Sequence, residues 1–143
     1  MKRLIAAVVV FYITIFSNAY AYDVTVMVNN EVLETPVPAQ IVNDRTVIPM
    51  RSVFEKLGAD VTWIDSDKMI VATKDDVIIV MQIDNNIMSV QNVKNSDFNV
   101  VELDVSPFIR NDYTLLPLRA VSEALSADVI WDEKTYTVNI FVL

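Results

Sequence analysis

The sequence predicts an α+β fold in which two copies of one small unit are fused into a single composite domain. Residues 46–63 recur at 114–131, a fixed offset of 68, with ten of eighteen positions identical. Each copy carries a helical pattern of apolar residues between segments in which apolar and polar residues alternate. An internal repeat of this kind indicates repeated supersecondary units. We therefore expect two sets of short antiparallel strands or hairpins, each packed on one short helix.

The first 21 residues are expected to be a secretory signal peptide. Lys2 and Arg3 precede the apolar run 4–16, and small residues at Ala19 and Ala21 define a cleavage site after Ala21. Thirteen helical residues reach about 20 Å, which is short of the ~30 Å hydrocarbon core of a bilayer. An uncleaved membrane anchor is the alternative. No later stretch is long and apolar enough to span a bilayer, so we expect a secreted or extracellular chain.

The mature domain is expected to be residues 22–143, with repeat units at about 24–74 and 75–143. The full chain of 143 residues has no cysteine, no histidine and a net charge of −8. Those counts exclude zinc fingers, catalytic triads, thiol nucleophiles and disulfide bonds. The acidic balance argues against a nucleic-acid partner, because phosphate binding needs a basic face. A hydrophobic content of 53% predicts a folded chain with a true core.

The repeated segment contains a short strand followed by a helix. In the first copy, residues 46–48 form a buried-strand pattern that ends at Pro49, a residue suited to the first helical position. Apolar residues then recur at the i, i+3, i+4 and i+7 positions of a helix of about nine residues. Gly58 follows where a left-handed helix end is needed, and Ser126 replaces it in the second copy.

The remaining elements are predicted to be strands joined by tight turns. Alternating apolar and polar residues indicate strands at 23–28, 59–63, 68–72, 77–83, 127–131 and 136–142. Because the chain has one glycine, Asn and Asp are expected to supply the left-handed turn conformations. Such pairs occur at 29–30, 43–44, 85–86 and 111–112. The polar segment 91–99 is expected to be the loosest part of the chain.

These motifs resemble the copper amine oxidase N-terminal domain family, also called stalk domains. The shared pattern is a turn, then Thr, two hydrophobic residues, Pro, Met or Leu and Arg, then a short helix and a hydrophobic-x-Trp strand. It occurs at residues 45–63 and 111–132, and strands at 68–72 and 134–140 and a linking segment at 100–107 extend it. The resemblance implies an antiparallel sheet curled around a helix, in a secreted or surface protein of Gram-positive bacteria. The copper of the oxidase is bound by three histidines of another domain, so neither copper chemistry nor a cofactor is expected.

Four side chains at equivalent positions of the two copies are candidate binding residues. Trp63 and Trp131 can act as aromatic platforms for sugar rings, but their repetition favours a role in capping the core. Arg51 and Arg119 can bind a carboxylate or phosphate near a helix start. The competing interpretation pairs each arginine with the glutamate four residues later, and it is the one we favour.

No catalytic or metal-binding residue is assigned. The aspartates at 65, 67, 75 and 76 offer oxygen ligands for calcium, but they lack the glycine and distal glutamate of an EF-hand loop. An acidic turn in solvent is therefore expected. Glycan hydrolysis needs only two carboxylates flanking a cleft, and nothing singles out such a pair among nineteen acidic residues.

The sequence therefore predicts a non-catalytic interaction or spacer module that is secreted or associated with the cell envelope. A cell-wall glycan or an envelope protein is the expected partner, and exposed strand edges can pair with another copy of the chain. Two alternatives stay open. One is an inhibitor or other binding factor that acts on a secreted partner, and the other, less favoured, is a carboxylate-based glycan hydrolase.

Overall fold

The computed structural model describes residues 23–143, which form thirteen strands and two helices. The predicted signal peptide, with its cleavage site after Ala21, lies outside the described residues. The helices are α1 (Met50–Lys56) and α2 (Leu118–Ala124). The strands are β1 (Thr25–Val28), β2 (Glu31–Val32), β3 (Gln40–Val42), β4 (Arg45–Pro49), β5 (Asp60–Ile64), β6 (Met69–Lys74), β7 (Val77–Gln82), β8 (Ile87–Asn92), β9 (Asp97–Glu102), β10 (Phe108–Arg110), β11 (Tyr113–Pro117), β12 (Ala127–Asp132) and β13 (Thr137–Val142).

The strands form three sheets, and the two short helices pack against them. The strand orders are β12-β13-β1-β2, β10-β11-β4-β3 and β5-β6-β7-β8-β9. The fold is therefore α+β, as predicted, and consists mostly of strands. Within residues 23–143, neither helix is long and apolar enough to cross a membrane.

The central sheet brings the two copies of the repeated segment together. Four elements recur with the same bounds at an offset of 68: β3 as β10, β4 as β11, α1 as α2, and β6 as β13. Strands β4 and β11 pair antiparallel, with Ile48 opposite Leu116. These two residues hold the same position in the two copies. An antiparallel pair centred on equivalent residues has an approximate local two-fold axis at its centre, and that axis relates strand β4 to strand β11.

The two outer sheets extend the copies differently. Strand β6 pairs antiparallel with β7, which leads on to the β8–β9 hairpin. Its counterpart β13 instead pairs in parallel with β1, with Thr25 opposite Thr137 and Val28 opposite Ile140. The antiparallel sheet that the family resemblance implied is thus broken by one parallel pair. The first described strand thereby joins the sheet that contains the last one.

Both helices are shorter than predicted, with seven residues instead of about nine. Pro49 and Pro117 have ψ values of 128° and 116°, so they end strands β4 and β11 instead of opening the helices. The fixed φ of proline fits a strand as well as a helix, which is why the sequence pattern misplaced them. At the other end, Gly58 (φ 81°) and Ser126 (φ 62°) adopt the predicted left-handed conformation.

The Asn and Asp turns follow the prediction in three of four places. Both residues of the pairs at 29–30, 43–44 and 111–112 have positive φ, which gives the twist that two-residue hairpin turns need. At the fourth place the left-handed residue is Asp84 (φ 61°), and the Asn pair at 85–86 that follows it does not have positive φ.

The segment 91–99 is not loose, contrary to the prediction. It contains the end of β8, a turn and the start of β9, and these strands pair from Ile87 opposite Glu102 to Asn92 opposite Asp97. Strand β9 is exposed along most of its length. Residues 91–99 are almost all exposed, so this part of the hairpin lacks the apolar alternation that marks a half-buried strand.

The main core lies between the helices and the sheets. Ile48, Phe54, Ile70 and Ile140 are fully buried in it. A second, smaller cluster of Val47, Val105 and Leu115 covers the other face of the central sheet. Neighbouring residues of a strand point to opposite faces, so β4 supplies Val47 to one cluster and Ile48 to the other.

Candidate functional site

In the described part of the chain, an open groove lies beside each helix. The wide groove has a volume of about 1120 Å³ and lies between α2, the end of β12, the β3–β4 turn and the β8–β9 hairpin. The narrow groove has a volume of about 520 Å³ and lies between α1, the end of β5 and the β10–β11 turn. The wide groove contains Arg119 and Trp131, and the narrow groove contains Arg51 and Trp63. All four predicted site residues therefore line a groove.

The two grooves are lined by equivalent residues of the sequence repeat. All twelve residues that line the narrow groove have the residue at the offset of 68 in the wide groove. The pairs are Pro36 and Asp104, Ile109 and Ile41, Asp112 and Asp44, Tyr113 and Arg45, Thr114 and Thr46, Pro49 and Pro117, Met50 and Leu118, Arg51 and Arg119, Ser52 and Ala120, Trp63 and Trp131, Asp65 and Glu133, and Lys68 and Tyr136. Each groove thus combines the helix and tryptophan of one copy with the hairpin turn of the other.

Each tryptophan is half-buried and packs against the main core while one part of it lines a groove. The indole Nε1 of Trp63 donates a hydrogen bond to Oδ1 of Asp65 at 3.3 Å. Trp131 instead meets the ring of Tyr136 edge-on, with centroids 5.9 Å apart and an angle of 87° between the planes. Core capping and groove lining, weighed as alternatives from the sequence, are combined in the same two side chains.

The arginines tie each helix to the strand that follows it. Nη1 of Arg119 lies 3.3 Å from Oε1 of Glu123 and donates to the carbonyl oxygen of Val129 at 2.9 Å. The equivalent contacts of Arg51 are longer, at 3.9 Å to Glu55 and 3.5 Å to the Val61 carbonyl oxygen. The pairing with a glutamate four residues later is present in both copies. It leaves these guanidinium groups engaged within the protein.

The wide groove differs from its counterpart mainly by one added wall. The β8–β9 hairpin contributes Met88, Val101 and Glu102, among others, and these have no equivalent in the narrow groove. Nε of Arg45, at the β3–β4 turn, donates to Oδ2 of Asp104 at 2.7 Å. This ion pair joins the turn to the chain that follows β9.

The charges of the two grooves also differ. The wide groove is lined by five acidic residues and two arginines, a net charge of −3. The narrow groove is lined by two acidic and two basic residues, which balance. The excess of acidic residues therefore lies in the wide groove.

The residues that line the grooves do not fit a copper site. The chain has no histidine and no cysteine. Within residues 23–143, no group of three or more potential metal-ligating side chains is arranged to hold an ion. The aspartates at 65, 67, 75 and 76 lie in two separate turns, between β5 and β6 and between β6 and β7.

The β8–β9 wall and the contribution of the opposite copy's turn were not predicted from the sequence. The signal for the turns was available, because the Asn-Asp pairs at 43–44 and 111–112 are themselves repeat equivalents. The wall carried no such signal, since it occurs once and follows the polar segment that was expected to be loose.

The fold and its repeated motif define a small α+β module of the stalk-domain class. Residues 27–140 match the family model of the copper amine oxidase N-terminal domain. The chain belongs to this family, and the family indicates a non-catalytic, stalk-like module. The comparison with curated proteins found no match.

Proposed function

We propose that this protein is a non-catalytic interaction module, secreted or held at the cell envelope, and that the wide groove is its binding site. In this proposal the domain is two fused copies of one hairpin–helix–hairpin unit, which gives it two related grooves. The observation that carries the proposal is their asymmetry. A fold that needed the grooves only for packing would gain nothing from adding a β-hairpin wall to one of them.

The wide groove is better suited to binding than to hydrolysis. Two of its carboxylates, Asp104 and Glu123, are held in ion pairs with Arg45 and Arg119. The other three, Asp44, Glu102 and Glu133, are exposed to solvent, whereas the acid of a two-carboxylate hydrolase needs an apolar pocket that keeps it protonated. We therefore keep the glycan hydrolase as the less favoured function.

The envelope location rests on the predicted signal peptide and on the family resemblance. Cell-wall glycan and envelope proteins are the proposed partners. The net charge of −8 opposes close contact with anionic wall polymers unless divalent cations screen it. Binding to walls should therefore depend on calcium if those polymers surround the target.

The test starts from the full chain expressed in a Gram-positive host. Recovery of a product beginning at Tyr22 from the medium or the wall fraction would support secretion, whereas retention in the cytosol would contradict it. The recovered protein is then sedimented with isolated cell walls, with and without calcium. We expect saturable binding.

Matched variants at the two tryptophans connect this binding to the wide groove. Trp131→Ala should abolish sedimentation with the walls, while Trp63→Ala should keep it, since the two residues hold equivalent positions in the two grooves. Because both side chains also pack against the core, circular dichroism must show folded protein, and Trp131→Phe and Trp63→Phe serve as the milder pair. Equal effects of the two substitutions would contradict the proposal.

One feature favours the protein-binding factor as a second candidate function. Strand β9 is six residues long, and its outer edge has no partner strand among residues 23–143. Phe98 and Val100 on this strand are 61% and 58% exposed. An exposed apolar edge strand can accept a strand from a partner or from another copy. Size-exclusion chromatography over a range of concentrations tests self-pairing, and a Phe98→Lys variant should be monomeric throughout.

A further inference from the structure

We infer that the wide groove binds an extended, cationic peptide segment that also carries aliphatic side chains. This inference rests on the proposed function, because it names the ligand class of the same groove. Three properties of the groove support it, namely its floor, its charge and its volume.

The floor of the wide groove is aliphatic. Met88, Leu103 and Leu118 are buried at its base, and Val101 and Val129 are half-buried beside them. Surfaces of this kind gain free energy by covering aliphatic side chains, which a glycan does not have. The floor therefore favours a peptide.

The charge of the wide groove favours a cationic peptide. Its two arginines are paired with Asp104 and Glu123, so the excess negative charge comes from Asp44, Glu102 and Glu133. All three carboxylates are exposed, and a groove lined by one sign of charge concentrates ligands of the opposite sign.

Lysine and arginine side chains suit both parts of the groove. Their aliphatic stems can cover apolar surface while their charged ends reach the carboxylates. The half-buried rings of Trp131 and Tyr136 provide aromatic faces that attract the same cations. The narrow groove has balanced charges and about half the volume, so it is less suited to a cationic chain segment.

The size of the groove favours a chain segment over a small molecule. Its volume of about 1120 Å³ lies above the usual range of small-molecule pockets, and the groove is open. A peptide that lies along it can place several side chains on the floor at once.

The experiment measures binding of short fluorescent peptides to the full-length protein by fluorescence anisotropy. The probe is a peptide of alternating lysine and leucine, and the comparison ligands are its glutamate–leucine counterpart and unlabelled chitotetraose as a competitor. We expect saturable one-to-one binding of the lysine peptide, no binding of the glutamate peptide and no competition by chitotetraose. Raising the salt from about 50 mM to about 500 mM should weaken binding at least several-fold.

Two double variants with the same change in net charge separate the groove from the overall acidity. Glu102→Gln with Glu133→Gln removes two charges from the wide groove, and Asp75→Asn with Asp76→Asn removes two from the β6–β7 turn outside it. We expect the first pair to raise the Kd of the lysine peptide about tenfold and the second to change it less than about twofold. Equal effects of the two pairs, or binding of the glutamate peptide, would overturn the inference.

The tryptophan variants then distinguish failure of this inference from failure of the proposed function. If Trp131→Ala abolishes sedimentation with cell walls but the lysine peptide does not bind the parent protein, the groove is a binding site for another class of ligand and the inference is wrong. Displacement of the peptide by chitotetraose would also overturn the inference, because it would identify a glycan as the ligand of the groove. If Trp131→Ala changes the binding of neither the cell walls nor the lysine peptide, both the inference and the proposed function are wrong.

Discussion

A reciprocal exchange of the two helix-ending residues tests whether the two copies are built by the same rules. Gly58 follows α1 and Ser126 follows α2, and both have a left-handed backbone, with φ values of 81° and 62°. The amide of each donates to a helical carbonyl oxygen at 3.0 Å, that of Glu55 for Gly58 and that of Glu123 for Ser126. The helix ends therefore match in geometry and differ in the side chain.

The magnitude follows from conformational preference alone. A residue with a Cβ atom costs about 1–2 kcal/mol in the left-handed region. Replacing serine by glycine removes this cost. Glycine also gives the unfolded chain more conformational freedom, which offsets about 0.4–1 kcal/mol of the stabilisation. A Cβ atom at Gly58 would lie 3.9 Å from Cε of Lys74, an ordinary contact, so no steric clash confounds the comparison. We expect Ser126→Gly to raise the free energy of unfolding by about 0.5–1 kcal/mol and Gly58→Ser to lower it similarly.

Urea denaturation followed by tryptophan fluorescence measures both changes, and the midpoint should move in opposite directions at an unchanged m-value. The double variant should return close to the parent protein, since the two exchanges compensate. Destabilisation by Ser126→Gly would refute the reasoning, because it would mean that the serine side chain makes a stabilising contact that outweighs its backbone strain.

Three further changes probe the core and the surface. Ser122→Ala should stabilise the fold by about 1 kcal/mol in thermal unfolding, because the buried Oγ of this residue has no hydrogen-bond partner among residues 23–143. Ser122→Val would instead destabilise the fold if the site has no spare volume. Ile48→Ala should lower the free energy of unfolding by about 2–5 kcal/mol in urea, because the fully buried side chain would leave a cavity. Arg45→Ala should cost less than about 1 kcal/mol in the same assay, since its ion pair with Asp104 is exposed, and a larger loss would show that this pair braces the wall of the wide groove.

Much of each repeated unit could be predicted because its signals are local. The apolar spacing from Met50 to Leu57 indicates a helix, and the turn at 43–44 needs residues that tolerate positive φ. The i+4 pairing of Arg119 with Glu123 follows from helical geometry alone.

The parts that the sequence did not reveal depend on distant residues. The parallel pairing of β1 with β13 joins residues more than a hundred positions apart, and no local pattern encodes it. The wide groove combines the turn that contains Arg45 with the helix that contains Arg119, so it exists only after the two copies meet. The β8–β9 wall was missed because the turn that joins the two strands is polar and β9 is exposed along most of its length, so burial imposes no apolar pattern there.

The parallel contact between β1 and β13 also decides how the domain carries mechanical load. Because the two strands run side by side in the same direction, the chain enters β1 and leaves β13 at opposite ends of the pair. A pull between those points acts along the strands, so the hydrogen bonds that join them are strained together instead of opening one after another. The short β1–β13 pair therefore bears a force applied between these two points.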